Sequence, residues 1–340
     1  MSDHSRLVIA LDAMGGDHAP AETVRGAVAA AEAGARVAVV GDPARLKPFL
    51  PRREFDGLVV VPAASVVEMD EPPAHALRHK RDSSMAVAVR MVAQGEAAGA
   101  VSAGNSGAFM AFAMTSLARI PGIDRPAIAT TLPTPVGPRI ALDVGANVDC
   151  KPEHLLQFAV LGSVYAEHVL GIHAPKVGLL NIGEEKAKGN DLTHAAYALL
   201  ERAPLNFIGF VEGNHIFDGR ADVVVCDGFV GNVLLKSSEG VAHLLMSELK
   251  EAISRSLLAK VGMVFLYPAL RRMKHRYDYA SYGGALLLGV GGIAVVCHGR
   301  SNAKAIANAI KVAEQAARAG VIEAVAKACA RLHDLAPDQV

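Results

Sequence analysis

Tryptophan is absent from these 340 residues and only 5% of them are aromatic, so Val, Ala, Leu and Ile have to fill the core. Neither sign of charge is in excess, with Lys plus Arg and Asp plus Glu at 34 each. A nucleic-acid footprint over the whole surface needs a basic surplus, so no nucleic-acid partner is expected. Cysteine is scarce and scattered. Cys150, Cys226, Cys297 and Cys329 form no C-x-x-C pair, which argues against a zinc site and against a secreted disulfide framework. Cys226 and Cys297 end apolar runs and read as core; Cys150, before Lys151-Pro152, can sit at a helix start that favours a thiolate, though a structural role is the simpler reading. Long hydrophobic runs are missing as well. Leu7 to Leu11 is too short for a signal peptide, and the uncharged stretch from Ala280 to Cys297 holds five glycines, so it reads as strand, turn, strand rather than as a membrane span. A cytoplasmic chain is expected.

Several signatures of known chemistry are also missing. No G-x-G-x-x-G follows the first strand, and G-x-x-x-x-G-K-[ST], G-x-S-x-G and H-E-x-x-H do not occur. A dinucleotide or nucleoside triphosphate therefore has no phosphate cradle, and a serine nucleophile has no elbow. The thirteen histidines show no ligand spacing, so neither metal nor cofactor is expected. His18, His215 and His298 lie near strand ends, where they can act as general acids or simply cap and cover.

What is present is alternation. Short apolar runs at Leu7–Leu11, Val37–Val40, Leu58–Val61, Gly99–Ser102, Val177–Ile182, Phe207–Val211 and Val223–Cys226 alternate with helical patterns, which predicts parallel βα units. Val24, Ala27, Val28 and Ala31 mark one face of the first helix, and Ile306, Ile310, Ala313 and Ala317 one face of a long closing helix. Ala127–Leu132 and Ile140–Val144 read as an antiparallel insert. No low-complexity segment or linker interrupts the series, so residues 1–340 read as a single catalytic domain of α/β class.

Five strand ends share one grammar: LDAMGGDHAP (11–20), SAGNSGA (102–108), LDVGANVD (142–149), NIGEEKAKGND (181–191) and CDGFVGN (226–232). Each carries glycines and leads into a helix start; in the last, Asn232 opens the helix. In a parallel sheet such ends converge on one crevice, where glycines let the backbone approach a ligand and helix N-termini favour anions. Gly, Asn and Asp also cap helices for purely structural reasons. Together the ends suit a small anion held by amides, with Lys186 and Lys188 of the fourth loop as cations or as ordinary solvated charge. Inorganic phosphate is already ionised at neutral pH. As the nucleophile it removes the need for an activated side chain and leaves the protein to position an acyl donor and stabilise an oxyanion.

LDAMGGDHAP, VSAGNSGA, LDVGANVDCKPEHL, NIGEEKAKGN, VEGNHIF and ADVVVCDGFVGNVLLKSSEG, taken in order, resemble the bacterial phosphate acyltransferases of phospholipid synthesis. The resemblance runs from about Leu7 to the last helix; Ser106 and Val230 stand where the family pattern has Thr. It implies a three-layer α/β/α fold with a mostly parallel central sheet, like phosphotransacetylases and isopropylmalate dehydrogenase. It also implies a homodimer and transfer of an acyl group from acyl-(acyl carrier protein) to phosphate. The residues it marks are Lys186, Lys188 and Asn232 as catalytic, with Asp12, Gly15, Gly16, Asn105, Ser106, Asn147 and Asp227 on phosphate or substrate.

Two further segments stand apart. Residues 250–280 read as a protruding helical segment, with Leu257, Leu258, Val261, Val264, Phe265 and Leu266 apolar and Arg271, Arg272, Lys274 and Arg276 basic. Pro268 predicts a break and hence a helical pair. That suits a dimer interface, shallow insertion into an anionic membrane, or both. The family resemblance favours peripheral association with the inner face of the plasma membrane, where a membrane glycerol-phosphate acyltransferase takes the lipophilic product. Arg78, Lys80 and Arg81, just before a helix capped at Ser83-Ser84, can dock acidic acyl carrier protein or remain a solvated run. Three other readings remain open: a phosphotransacetylase using coenzyme A thioesters, a metal- and NAD-dependent decarboxylating dehydrogenase, and a non-catalytic membrane scaffold.

Overall fold

The structure is a computed structural model that describes residues 7–52, 56–277 and 283–335. The chain opens with β1 (Val8–Asp12), α1 (Ala21–Glu32), β2 (Arg36–Gly41), the single turn α2 (Pro43–Leu46) and β3 (Leu58–Pro62). Then come α3 (Pro73–His79), α4 (Ser84–Ala93), β4 (Gly99–Ser102) and α5 (Ser106–Ser116). The middle holds β5 (Ala127–Thr134), β6 (Gly137–Leu142), α6 (Pro152–His168), β7 (Val177–Asn181), α7 (Asp191–Arg202), β8 (Phe207–Glu212) and β9 (Val223–Val225). Two long helices, α8 (Gly228–Ser254) and α9 (Leu257–Tyr277), precede β10 (Ala285–Leu288), β11 (Ile293–Val296), α10 (Ala303–Arg318) and α11 (Val321–Leu335).

Among the described residues eleven strands form one sheet, in the order β3-β2-β1-β4-β11-β10-β5-β6-β9-β7-β8. Strand residues alternate between two cores, as period-2 geometry requires. Ile9, Leu11, Val37, Val39, Val101, Val177 and Val225 face α1, α6, α7, α10 and α11. Ala10, Ala38, Ala100 and Ala294 face the other way, against α4 and α5. Small residues on that face let the Met85–Val89 and Ala108–Ala113 sides of those helices sit close to the strands. Both faces are covered, which is why the strands read as continuous apolar runs. The result is a three-layer α/β/α fold.

The pair β5–β6 is antiparallel as expected, but it lies within the sheet, between β10 and β9, rather than forming an insert. β10 is antiparallel to both β11 and β5. Strands β1, β2, β3, β4 and β11 run parallel to one another, and β6, β7, β8 and β9 form a second parallel set. Tracing the antiparallel pairings across the centre reverses the direction, so the two sets oppose each other. The strand ends therefore do not share one sheet edge, contrary to the expectation from a simple parallel sheet. The two sets are joined at one junction by α8, whose Lys236 Nζ lies 3.2 Å from His298 Nε2 just beyond β11.

The helical pair is present, with its break elsewhere than at Pro268. α9 runs through Pro268, and the chain instead turns at Arg255-Ser256. Ser256 ends one helix and starts the next, its Oγ accepting the Ala259 N–H at 3.2 Å. A local cap decides the boundary, while a proline on an exposed helix sacrifices one hydrogen bond without a neighbour to enforce a kink. Leu258 and Phe265 are 87% and 81% exposed, and Val261, Val264 and Leu266 are exposed with them. The apolar surface also continues onto α8 at Val241, Leu244 and Leu245. The Leu257, Arg272, Lys274 and Arg276 side chains lie outside the described residues. No described helix is long and apolar enough to cross a membrane.

Candidate active site

The β1 end turns on Asp12. It is buried, accepts the Ser102 hydroxyl at 2.7 Å and the Met14 N–H at 3.3 Å. Ser102 Oγ accepts the Gly104 N–H at 3.0 Å. One carboxyl thus ties the first glycine loop to the end of β4. Gly15 packs directly over it: a Cβ there would collide with Asp12 Oδ2 and stand 2.8 Å from Gly104 N, so only glycine fits. Burial raises the Asp12 pKa, against the opposing pull of the Ser102 hydroxyl and the Met14 N–H. The Asp17 N–H donates to Gly299 O at 2.9 Å, which joins this loop to the end of β11.

Across the junction Asp143 stands at the end of β6. Its Oδ1 accepts N–H groups of Ile128, Gly145 and Ala146 at 3.0, 3.2 and 2.9 Å. Its Oδ2 accepts the Asn147 backbone N–H at 2.7 Å and the Asn147 side-chain amide at 2.9 Å. Burial raises this carboxyl too, while these donors work against the rise. The loop it shapes receives α8: Gly228 N–H donates to Asn147 O at 2.7 Å, and a Cβ at Gly231 would run into the Asp143 carbonyl oxygen.

The residues expected to bind substrate divide accordingly. Asn105 caps α5 by accepting the Ala108 N–H at 3.0 Å and holds the carbonyls of Met69 and Glu71 at 3.0 and 2.8 Å. Asn147 donates to Pro126 O at 2.7 Å and to Asp143. Asp227 is the N-cap of α8, accepting the Val230 N–H at 2.9 Å. For these three the capping and loop-shaping account is realised. Ser106, in the first turn of α5, is exposed. The helix after β9 starts at Gly228, four residues before Asn232, because Asp227 supplies the cap. Asn232 lies in its second turn, exposed, with its side chain beside Gly145.

Lys186 and Lys188 sit in the loop after β7, the strand next to β9. Lys186 pairs with Glu201 at 2.8 Å and lies 4.9 Å from the Tyr197 ring centroid; these partners raise its pKa. The Lys188 backbone carbonyl anchors Asn181 and His194, and its side chain is exposed. His215 bonds Asp218 at 2.7 Å, beside the Glu184–Arg220 pair. His18 lines a shallow surface cavity with Glu22, Arg300 and Asn302. In the basic run, Lys80 turns inward to Val66 O at 2.6 Å and Glu71 at 3.3 Å, while Arg78 and Arg81 are exposed and Ser83 caps α4.

Two residues of the junction escaped the sequence reading. Asp143 repeats the Leu-Asp ending of β1, a signal visible in the quoted stretches. Lys236 follows Asn232 by four residues, hence on the same helix face, and its Nζ lies 3.2 Å from His298 Nε2 at the end of β11. This is where α8, rooted in the second strand set, meets the first. All four thiols are held protonated: burial pushes Cys150 and Cys329 up to about 11, Cys297 to about 12, and Cys226 well above its usual value, with Asp143 adding to the rise at Cys150. Among the described residues no group of three or more His, Cys, Asp or Glu side chains can hold a metal ion.

The family described as "Fatty acid synthesis protein" matches residues 7–324. The phosphate acyltransferase of Desulfitobacterium hafniense (strain DSM 10664 / DCB-2) is 56% identical over 322 residues, 94% of this chain and 96% of that protein. The phosphate acyltransferase of Geobacter sulfurreducens is 51% identical, covering 94% and 93%. A phosphotransacetylase from Streptococcus pyogenes shares the fold at a TM-score of 0.61 and 17% identity, over 94% of this chain and 95% of that one. A branched-chain phosphotransacylase from Enterococcus faecalis V583 does so at 0.58 and 15%, over 92% and 99%.

Proposed function

This chain belongs to the phosphate acyltransferase family, and from that premise we propose that it transfers a long-chain fatty acyl group from acyl-(acyl carrier protein) to inorganic phosphate for phospholipid synthesis. The observation that carries this reading is the junction itself. Asn232 of α8 lies beside Gly145 of the Asp143 loop, and one turn on Lys236 reaches His298, whose neighbour Gly299 bonds the Asp17 N–H of the Asp12 loop; the four cysteine pKa values are all raised. A thiolate nucleophile is therefore disfavoured, which agrees with a nucleophile that arrives with the substrates. A phosphate oxygen attacks the thioester carbonyl, the C–O bond forms, the C–S bond breaks, and the proton of hydrogen phosphate passes to the departing thiolate. Asn232 donates its amide to the carbonyl oxygen as charge develops there, and Lys188 supplies cationic charge from the neighbouring loop; loss of one such donor typically costs about 10²–10³ in rate.

The test is acyl phosphate formation, trapped as the hydroxamate, with palmitoyl-(acyl carrier protein) and palmitoyl-coenzyme A side by side. Turnover with the carrier-linked donor is expected; turnover with coenzyme A alone would move the chain to the phosphotransacetylase reaction. Asn232→Ala and Lys188→Ala should each lose about 10²-fold in kcat with the fold intact. Wild-type turnover in either would remove that residue from the mechanism.

We further propose that Arg78 and Arg81 steer the acidic carrier, with Lys80 serving structure, and that the apolar faces of α8 and α9 mediate homodimerisation and reversible contact with the inner membrane surface. An exposed apolar face of this size is characteristic of interaction sites. Val264→Glu with Phe265→Glu should abolish liposome co-sedimentation or the dimer; retention of both would refute the assignment. A membrane glycerol-phosphate acyltransferase would receive the product.

A further inference from the structure

We propose that Lys236 and His298 together form the seat of the phosphate at the junction of the two strand sets. The inference rests on the acyl-transfer reading for the identity of the anion, and on donor counting for the site.

His298 Nδ1 receives the Arg300 backbone N–H at 3.2 Å, so its lone pair is in use and the ring proton belongs on Nε2. Nε2 faces the Lys236 ammonium at 3.2 Å. Two donors then point at one another. Moving the proton to Nδ1 satisfies Lys236 but sets Nδ1–H against the Arg300 N–H. Either tautomer leaves one donor too many for two ring nitrogens. An acceptor that touches both resolves the surplus, and a tetrahedral oxyanion has two oxygens spaced to take one bond each from Nε2–H and Nζ. Burial and Lys236 hold the ring's pKa below its ordinary value, which favours the neutral form, a donor without charge.

The surroundings fit that occupant. Gly299 and the Gly16-Asp17 turn lie against one another beside the ring, with the Asp17 carboxylate and the Met69 side chain packed at Gly299. Arg300 adds positive charge; Asp17 and Glu239, which bonds Lys236 at 3.1 Å, offset part of it. Such a balance suits an anion that must arrive and leave. Four residues along α8 place Asn232 about 6 Å from Lys236 along the helix axis. Phosphate on Lys236 and an acyl carbonyl near Asn232 would then be neighbours.

The experiment compares the wild type with Lys236→Met, which keeps helix propensity at a half-exposed position, and with His298→Asn, whose Oδ1 still accepts the Arg300 N–H while Nε2 is removed. Each should raise KM for phosphate by about tenfold or more, the cost of a charge-assisted hydrogen bond, with KM for the acyl donor within about twofold. Lys236→Arg should recover part of the loss. A second readout needs no turnover: inorganic phosphate should raise the wild-type Tm above an equal ionic strength of chloride, and both variants should lose that rise. No phosphate-dependent rise in the wild type, or an unchanged rise or phosphate KM in either variant, overturns the seat. Absence of acyl phosphate from the wild type with either donor would instead withdraw the acyl-transfer reading, and the melting comparison would still decide whether Lys236 and His298 hold phosphate.

Discussion

Asp12 and Asp143 occupy the same place in the grammar of the chain: each ends a buried strand after Leu and precedes a glycine loop. Their partners differ. Asp143 is served almost wholly by its own loop, with four of its five donors between Gly145 and Asn147 and within four residues along the chain. Asp12 reaches ninety residues along the chain to Ser102. One carboxyl shapes a local turn, and the other ties two βα units together. Four backbone N–H groups and one side-chain amide converge on Asp143, while one hydroxyl and one N–H bond Asp12, and burial raises both carboxyls against these donors.

The largest test of that contrast is Asp143→Ala, which leaves five N–H groups without their acceptor. It should destabilise the fold by about 3–5 kcal/mol, read by chemical denaturation. Asp12→Ala should cost less, about 1–3 kcal/mol; equal losses would break the comparison. Smaller still is Asp12→Asn, which keeps an acceptor for Ser102 and carries no charge. Because burial raises the folded pKa of Asp12 above 3.8, its ionisation costs stability as pH climbs through that raised value. The stability of the wild type relative to Asp12→Asn should therefore fall with rising pH from about 4 upward. A gap that stays constant with pH would show that burial does not raise the Asp12 carboxyl in the folded protein. Smallest is Lys186→Ala: its ion pair with Glu201 is solvent-exposed, so the denaturation midpoint should not move measurably.

Much of the architecture was legible in advance. The parallel strand runs fell within a residue or two of the elements observed, since buried parallel strands leave an uninterrupted apolar signature, while Ile140–Val144 missed the start of β6 at Gly137 by three. The turn between β10 and β11 was readable from five glycines in an uncharged run, and the α4 cap from Ser83. The position of Asn232 was misread because its glycine-flanked setting resembled a helix start, whereas Asp227 had already supplied the cap. Pro268 misled for a related reason: a local signal for breaking a helix was outweighed by the Ser256 cap and by the freedom of an exposed helix to carry a proline.

Composition, periodicity and turn chemistry are properties of short stretches, and by themselves they determined the α/β class, the strand runs, the strand-end loops and the missing cofactor signatures. Only the tertiary structure decided that the sheet reverses direction at β5–β6, because pairing between distant strands leaves no trace in either one. Only the tertiary structure brought Lys236 to His298, sixty-two residues apart. A basic side chain on a helix looks the same in sequence whether it faces solvent or an imidazole, and only the placing of α8 against the end of β11 settles which.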